Sequence, residues 1–451
     1  MKKRLLNKTL LLFFIILVEG YVVLACELLA IRQLIPFVGS GTETISIIIS
    51  AVLLPLAVGY HVGGRSFKKA FESSRRKNKE RLSVRKLLLR NIISSLAIFS
   101  LGLSYIFLEI FFGLIEGVGI HNRLLQTFLY SSLFLVMPVF LLGQTVPLVS
   151  NYFSRAKLSE ITGKMLFFST TGSFLGSVFS TIVLMTTIGV HNTVIVTLAL
   201  LGMLALLLSR RLFSYEPFFC VFIIGLLFAM NSAAAMRSLN IVSDNNYNIV
   251  RISELKDEPS RIMEVNRSAS SKVTEDPEHN FVYWKHVQKN FIDPIMQPGG
   301  TPKDILVIGA GGFTIGLDDS YNQYTFVDID PALKQVSEEH FLKRKLTPNK
   351  HFVPASARAF VREHEKKYDL ILLDAYTNVI SLPMEVTTRE FLVDTKKLLK
   401  DRGAIVANII MSPTFQDKFS VRYHNTFASV FPVFSRQVVA DYEAWKPADD
   451  Y

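Results

Sequence analysis

Seven apolar stretches, each close to the length of a membrane span, occupy the first half of this 451-residue chain. They lie near 9–30, 43–63, 88–115, 124–150, 165–187, 191–208 and 216–236. A helix needs about 20 mostly apolar residues to cross the hydrocarbon core of a bilayer. The pattern therefore predicts a multi-span α-helical domain, in contact with the lipid bilayer, over residues 1–236.

Positive charge is concentrated in the same 236 residues. They hold 22 Lys and Arg against 9 Asp and Glu, whereas the rest of the chain holds 27 against 29. The basic residues precede the first span and then fall in the loops 64–90, 151–164 and 209–215. Such loops mark the cytoplasmic side of a membrane protein, and they do not form the basic patch of a nucleic-acid binder. We expect a multi-pass protein of the cell membrane with a cytoplasmic N-terminus and no nucleic-acid partner.

The side of the membrane on which the soluble part lies stays open. Seven crossings would place it outside the cytoplasm, and one miscounted span would place it inside. Cys26 and Cys220 lie within apolar stretches, which predicts buried thiols and not metal ligands or a disulfide. The Gly-, Ser- and Thr-rich segment 169–181 is typical of helices that approach each other closely in lipid.

Residues 237–300 are expected to form a small β-sheet subdomain and a linker. Short strands are predicted within 245–254 and 261–267, where apolar and polar residues alternate. A helix is predicted over 281–296, closing at Pro294.

Residues 301–451 alternate between apolar strands and helices. Five strands are predicted at 305–309, 324–330, 351–356, 368–376 and 404–410, with helices at 331–342, 357–366 and 387–403 and a sixth strand at 431–445. This alternation favours an α/β domain with an open, mainly parallel sheet covered by helices on both faces. In such sheets the ligand lies at the carboxyl ends of the strands.

Three of the predicted strands end in residues suited to binding a nucleotide. The first runs into the Gly309–Gly312 loop, the second ends at Asp328, and the fourth ends at Asp374. Missing side chains in the loop allow close approach of a ligand, and a carboxylate such as Asp328 can accept the hydroxyls of a ribose. Thr314 stands where the dinucleotide fingerprint has its third glycine. With Asp374, the pattern favours an adenosylmethionine-type enzyme over a nicotinamide enzyme, although both acids are also suited to capping a turn or helix.

The segments "VIGAGG", "VDIDP", "YDLILLDAY", "LPMEVTTREFL" and "LKDRGAIVANI" resemble the spermidine synthase family. In the first half, "CELLAIRQLIPFVGS" and "GKMLFFSTTGSFLGS" are similar to the membrane-fused branch of that family. The resemblance implies a Rossmann-like transferase of polyamine biosynthesis. It would transfer an aminopropyl group from decarboxylated S-adenosylmethionine, its cosubstrate, to putrescine or a related amine, without a metal. A homo-oligomer stays open.

The resemblance also implies roles for individual residues. Asp374 matches the general base, and Tyr283 and Tyr376 match the amine site. The cosubstrate would be bound by Gly309, Gly311, Gly312, Asp328, Ser356 and Ala357.

Four positions depart from the family pattern. Gly312 replaces a loop Asp that holds the cosubstrate's amine, and Ser356 replaces the Asp of an Asp–Ala pair. Thr377 replaces a second Asp near the base, and Lys285 replaces an acid after the family tyrosine. Since a diamine is a dication, these losses keep two alternatives open: a methyltransferase that uses S-adenosylmethionine, and a non-catalytic membrane sensor or transport protein with a bound adenosyl ligand.

Overall fold

The computed structural model describes residues 2–72, 77–153, 158–209, 215–255, 258–296, 300–376 and 382–439. It divides the chain into two compact units. The first comprises Met1–Leu239 with Asp244–Asn246, and the second comprises Asn240–Ser243 with Tyr247–Tyr451.

Twelve α-helices are seen in the described part of the first unit. They are α1 (Lys2–Val38), α2 (Thr42–Glu72), α3 (Lys77–Gly102), α4 (Tyr105–Gly117), α5 (Arg123–Ser131), α6 (Met137–Gly143), α7 (Thr145–Ser150), α8 (Leu158–Val178), α9 (Met185–Thr187), α10 (Gly189–Leu208), α11 (Tyr215–Met230) and α12 (Ala233–Ser238). Short π-helical segments at Ser132–Val136 and Phe179–Leu184 join α5 to α6 and α8 to α9.

The predicted helical character of the first half is confirmed, with two differences: one predicted stretch is bent and another is shorter. Five described stretches are long and apolar enough to span a bilayer: Thr9–Val38, Thr42–Gly64, Arg123–Ser150, Ser159–Thr187 and Gly189–Leu208. The stretch predicted at 88–115 is two helices, α3 and α4, bent by 69° at a break. The last stretch is shorter than predicted, because α11 has only 16 residues. These are statements of length and composition, and the crossing of a membrane stays a prediction.

The Gly-, Ser- and Thr-rich segment lies on α8 and its π-helical extension, against α1. The Ser173 hydroxyl donates to the carbonyl of Gly20 (3.4 Å), and the Ser180 hydroxyl donates to the hydroxyl of Tyr21 (3.0 Å). Both described cysteines, Cys26 and Cys220, are buried and free.

The second unit contains two sheets. The smaller sheet has the order β1-β2-β3-β4, from strands β1 (Ile241–Asp244), β2 (Ile249–Glu254), β3 (Ser260–Val265) and β4 (Ser268–Thr274). The two predicted strands correspond to β2 and β3, whereas β1 and β4 were not predicted. Helix α13 (Val282–Val287) follows, and π-helical and 3₁₀ turns continue it to Ile295.

The larger sheet has the strand order β7-β6-β5-β8-β9, and all its neighbouring strands are parallel. The strands are β5 (Asp304–Ile308), β6 (Gln323–Asp328), β7 (Lys350–Pro354), β8 (Tyr368–Leu373) and β9 (Leu399–Ala407). The helices are α14 (Leu333–Val336), extended by a π-helical turn, α15 (Ala357–Glu363), α16 (Arg389–Lys397) and α17 (Lys418–Val430). The five predicted strands and the parallel α/β architecture are thus confirmed. Strand β5 is central, so the loop that follows it lies between the ends of β6 and β8.

Two predicted elements are wrong in part. The helix predicted over 387–403 ends at Lys397, because the chain already joins the sheet at Leu399. The Lys400 ammonium holds this segment at the sheet by pairing with Asp304 (2.7 Å) and Asp369 (2.8 Å). The sixth strand is absent over 431–439, where Val433 is 92% exposed and fits no buried strand face. The rest of that predicted strand lies outside the described residues.

Candidate functional site

The loop after β5 is held tightly against the end of β8. Gly309 has φ +96°, and a Cβ atom placed there would lie 2.1 Å from the backbone oxygen of Asp374. The Gly309 N–H donates to Val327 on β6 (2.9 Å), and the Asp374 N–H donates to Ile308 on β5 (2.8 Å). Only glycine fits both the left-handed backbone and this contact. The loop therefore joins the ends of β6 and β8 into one site.

The second half of the loop lies against the small sheet of the same unit. Gly311 has φ +48°, and the Gly312 N–H donates to the hydroxyl of Ser271 on β4 (2.8 Å). A Cβ atom at Gly312 would lie 2.3 Å from the Phe341 ring. The loop acid that Gly312 replaces therefore has no room in this conformation.

Asp328, at the end of β6, turns its carboxylate toward the loop. One oxygen accepts from the Ala310 N–H and the other from the Asp330 N–H, both at 3.1 Å. Burial raises the pKa of Asp328 to about 6, although the backbone N–H donors lower it. An ionised carboxylate held this way can accept hydrogen bonds from the two hydroxyls of a ribose.

Asp330, two residues later, stabilises this turn through its own hydrogen bonds. It is fully buried, accepts from Asn248 (3.1 Å), and also accepts from the Ala332 N–H (3.0 Å). Asn248 in turn accepts from Asn266 (2.9 Å). These buried amides fix the backbone on which Asp328 stands.

Ser356 and Ala357 lie directly after β7, beside the end of β6. The Ser356 hydroxyl accepts from the Ala359 N–H (3.2 Å) and caps α15. The Ala355 N–H donates to the backbone oxygen of Asp328 (2.9 Å). The structure thus brings this pair to the same edge of the sheet as Asp328, and gives Ser356 a capping contact.

Asp374 is held by two neutral donors. The Tyr283 hydroxyl of α13 forms a short hydrogen bond to one of its carboxylate oxygens, and the Asn408 amide donates to the other (2.9 Å). Burial raises the pKa of Asp374, while these two hydrogen bonds lower it. Burial and the neighbouring Asp374 raise the pKa of Tyr283 well above its usual value, so the phenol keeps its proton. A carboxylate with a raised pKa and fixed orientation can act as a general base.

Tyr376 lies two residues after Asp374 and is held by the end of β9. Its hydroxyl donates to the backbone oxygen of Asn408 (2.9 Å) and accepts from the Ile410 N–H (2.7 Å). Burial raises its pKa. Tyr283, Asp374 and Tyr376 are therefore brought together, and Asn408 connects the last two.

Of the two remaining departures from the family pattern, the structure describes only Lys285. The Lys285 ammonium donates to the backbone oxygen of Glu278 (2.8 Å), with the Glu278 carboxylate at 3.4 Å. Thr377 lies outside the described residues. Of the described residues, no group of three His, Cys, Asp or Glu side chains could hold a metal ion.

Three residues of the site were missed in the sequence. Asn408 donates to the Asp374 carboxylate, Ser271 accepts from the glycine loop, and the Asp330 N–H donates to Asp328. Asn408 carried a usable signal, because it is a polar residue inside the apolar strand predicted at 404–410. Ser271 carried none, since it lies in a polar strand that was not predicted.

The C-terminal part of the chain is similar to known transferases. Residues 286–440 match the model of the spermine/spermidine synthase domain. A polyamine aminopropyltransferase from Vibrio vulnificus is 31% identical over 164 residues, covering 35% of this chain and 54% of the relative. This chain thus spans about half the length of that relative.

Two further proteins are also similar, one over a shorter stretch of sequence and one at lower sequence identity. An N-terminal histidine N-methyltransferase from Emericella nidulans is 35% identical over 136 residues, covering 28% of this chain and 23% of the relative. The crystal structure of a probable spermidine synthase from Corynebacterium glutamicum gives a TM-score of 0.32 at 22% identity. That comparison covers 36% of this chain and 61% of the other.

Proposed function

On the premise that residues 286–440 form a domain of the spermine/spermidine synthase family, we propose that the protein is an aminopropyltransferase. Its donor would be decarboxylated S-adenosylmethionine, and its acceptor a small amine. One observation carries the proposal: Asp328 and Asp374 lie at the carboxyl ends of the two strands that flank β5, on either side of its glycine loop.

The reaction follows from these two positions. Asp328 binds the ribose of the donor, with the loop N–H groups and the Ser356–Ala357 turn around the nucleoside. Asp374 takes a proton from the acceptor's ammonium group, which frees the nitrogen lone pair. The nitrogen then attacks the propyl carbon attached to the sulfonium. A C–N bond forms, the C–S bond breaks, and its electron pair stays on sulfur as neutral methylthioadenosine.

The protein contributes mainly position and one proton transfer. The sulfonium is already an activated leaving group, so the acceptor nitrogen needs only to be deprotonated and aligned. Tyr283 and Asn408 hold the carboxylate of Asp374 in one orientation, which fixes where the nitrogen is deprotonated.

A methyltransferase is the second candidate, favoured by Gly312. A loop acid would repel the carboxylate of intact S-adenosylmethionine, and Gly312 has no acid and no room for one. The similarity to a histidine N-methyltransferase is consistent with this alternative.

The products distinguish the two candidates. Purified full-length protein would be incubated with either donor and a panel of amines, with Asp374→Asn as a control, and the nucleosides identified by mass spectrometry. Amine-dependent methylthioadenosine from the decarboxylated donor supports the aminopropyltransferase. S-adenosylhomocysteine from the intact donor supports the methyltransferase. If neither product forms from either donor, both candidates are contradicted.

We also propose that the first unit spans the cell membrane, as in the membrane-fused branch, and that the transferase domain lies outside the cytoplasm. The support comes from residues 244–246, which belong to the first unit. The Asp244 carboxylate accepts from the backbone N–H of His191 (2.8 Å), at the start of α10. Its other oxygen is hydrogen-bonded to Nδ1 of the His191 ring (2.7 Å). Arg32, near the end of α1, donates to the backbone oxygen of Asn245 (2.8 Å).

These contacts hold residues 244–245 where α1 ends and α10 begins. The basic loop 209–215 follows the opposite end of α10, and basic loops favour the cytoplasm. A domain that follows residue 246 would thus start on the other side, where its donor would have to be supplied. Alkaline phosphatase fused after residue 451 should be active and a fluorescent protein dark, and the reverse result would contradict this placement.

A further inference from the structure

Helix α13 contacts both sides of the candidate site. The Tyr283 hydroxyl is hydrogen-bonded to the carboxylate of Asp374, and Tyr283 and Val287 line the crevice beside that carboxylate. The next residue after Tyr283 is Trp284, and it contacts the loop that follows β5. Its indole N–H donates to the backbone oxygen of Thr314 (3.2 Å). One helix therefore connects the candidate base to the glycine loop.

The contact between Trp284 and Thr314 lies in a closed part of the domain. Thr314 is only 6% exposed, so loss of the indole N–H would leave a buried carbonyl without its donor, which is unfavourable. Gln288, in the π-helical turn that continues α13, makes a second contact to the same loop. Its side-chain oxygen accepts from the Gly316 N–H (3.3 Å). Two side chains thus hold α13 against the loop.

The first half of the loop is held by contacts that do not involve α13. The Ala310 N–H donates to the carboxylate of Asp328 (3.1 Å). The Gly312 N–H donates to the hydroxyl of Ser271 on β4 (2.8 Å). Loss of the Trp284 contact should therefore loosen α13 while the donor side of the loop stays in place.

From these contacts we infer that Trp284, assisted by Gln288, is a positioning residue: it anchors α13 to the glycine loop and so places the Tyr283 hydroxyl on the carboxylate of Asp374. The inference rests on the proposed aminopropyltransferase activity and assigns a further residue to that site. A displaced phenol would leave the carboxylate with one of its two donors, and a less well oriented base takes a proton less efficiently.

A double-mutant cycle tests whether Trp284 acts through Tyr283. Trp284→Phe keeps an aromatic ring and removes the N–H group. Full-length protein would receive decarboxylated S-adenosylmethionine and the best acceptor of the amine panel, and methylthioadenosine would be quantified. We expect kcat to fall about tenfold in the wild-type background and by less than about twofold in the Tyr283→Phe background. An unchanged kcat, or a fall by the same factor in both backgrounds, would overturn the inference.

Donor affinity separates this role from damage to the glycine loop. Because the first half of the loop keeps its contacts, the Kd of methylthioadenosine, measured by calorimetry, should change by less than about twofold in Trp284→Phe. A rise in Kd as large as the fall in kcat would overturn the inference, since Trp284 would then stabilise the donor side.

His286→Phe is the matched control on the same helix. It also removes ring nitrogens and keeps a ring, at a position where the side chain contacts Asn290 and Phe291. Its kcat should stay within about twofold of wild type. A loss as large as that of Trp284→Phe would show that any ring substitution in α13 has this effect, and would contradict the specific role of Trp284.

A spectroscopic measurement makes the test independent of turnover. The Cζ resonance of isotope-labelled Tyr283, identified as the signal that Tyr283→Phe removes, reports the hydrogen bond to Asp374. Trp284→Phe should shift this signal and His286→Phe should not. If Trp284→Phe does not fold, Gln288→Met removes the other contact to the loop and should shift the signal in its place.

The two proposals can therefore fail separately. A shifted Tyr283 signal in a protein that forms no methylthioadenosine would support the positioning role and contradict the aminopropyltransferase. An unshifted signal would overturn the positioning role, whatever the turnover.

Discussion

The two acids of the candidate site stand in contrasting surroundings. Asp328, on the donor side, is surrounded by backbone N–H groups and a buried polar network through Asp330 and Asn248. Asp374, on the acceptor side, has two neutral donors, and its further neighbours are aliphatic side chains and Tyr376. We propose that the side of Asp328 binds the nucleoside of the donor, whose hydroxyls need fixed polar partners. We propose that the side of Asp374 receives the ammonium group of the acceptor.

The two acids lie at the ends of different strands and have different partners, so each can be changed separately by mutation. The donor side keeps Asp328, the acid that the family resemblance assigns to the ribose. The acceptor side keeps Asp374, which the resemblance assigns to the general base, whereas Thr377 and Lys285 stand where the family has further acids. Changes to each side should therefore alter different measured quantities.

The largest effect is expected from Asp374→Asn. An amide cannot take the proton of the acceptor, so kcat should fall about 1,000-fold, within the usual range for loss of a general base. Donor affinity, measured by calorimetry, should stay within about twofold because Asp328 is unchanged.

Asp369→Asn is the matched control on the same strand. Asp369 pairs with Lys400 at the other end of the sheet, away from the loop. Turnover of the control should be close to wild type. Equal turnover by Asp374→Asn and its control would remove Asp374 from the role of base.

Gly309→Ala should damage both sides at once. The new methyl group would meet the backbone oxygen of Asp374 at 2.1 Å, in a backbone conformation that alanine disfavours. We expect a loss of about 3 kcal/mol of folding free energy in chemical denaturation, a large value for one methyl group. Gly300→Ala, where no atom lies within 4 Å of the added Cβ, should unfold like wild type. If both variants are equally stable, the loop is not constrained as described.

Asp328→Asn should act on the donor alone. Loss of charge-assisted hydrogen bonds to the ribose should raise the donor Kd about 10- to 100-fold, whereas acceptor binding should not change. Asp318→Asn, which removes an exposed acid paired with Arg344, is the control.

The pH dependence of donor binding checks the same residue. Burial raises the pKa of Asp328 to about 6, and the ionised form accepts the hydroxyls. Donor affinity should therefore increase as the pH rises from 5 to 7, and Asp328→Asn should lose that increase. The same raised pKa means that the folded state binds a proton more readily than the unfolded state does. Its contribution to stability is therefore present below the ordinary Asp pKa and lost as the pH rises through about 6.

The sequence predicted the residues at the strand ends better than the contacts that hold them. Strands β5, β6 and β8 are buried apolar runs that end in Gly309, Asp328 and Asp374, so each position is visible locally. The partners that complete the site are distant along the chain. Tyr283 and Asn408 lie 91 and 34 residues from Asp374, so no local pattern reveals their hydrogen bonds to it, and Tyr283 was named only through the family resemblance.

The elements that were missed share a physical cause. Strand β4, with the sequence Ser-Ala-Ser-Ser-Lys-Val-Thr, lacks the apolar alternation that predicts a strand, and pairing with β3 gives it that conformation. The start of β9 has a helical pattern, but Lys400 is drawn to two carboxylates of the sheet. In both places contacts made after folding override the local preference.

The smallest effect, and the most specific test of the acceptor side, is expected from Asn408→Ala. The amide donates to Asp374 and favours its ionised form, so its removal should lower kcat only about tenfold. It should also raise the pKa of Asp374 further, which moves the acidic limb of the kcat–pH profile to higher pH. A purely structural role would lower kcat without moving that limb. Asn290→Ala, which removes an exposed amide bonded to His286, should leave both quantities unchanged. An unmoved limb in Asn408→Ala would show that Asn408 holds the end of β9 and does not tune the base.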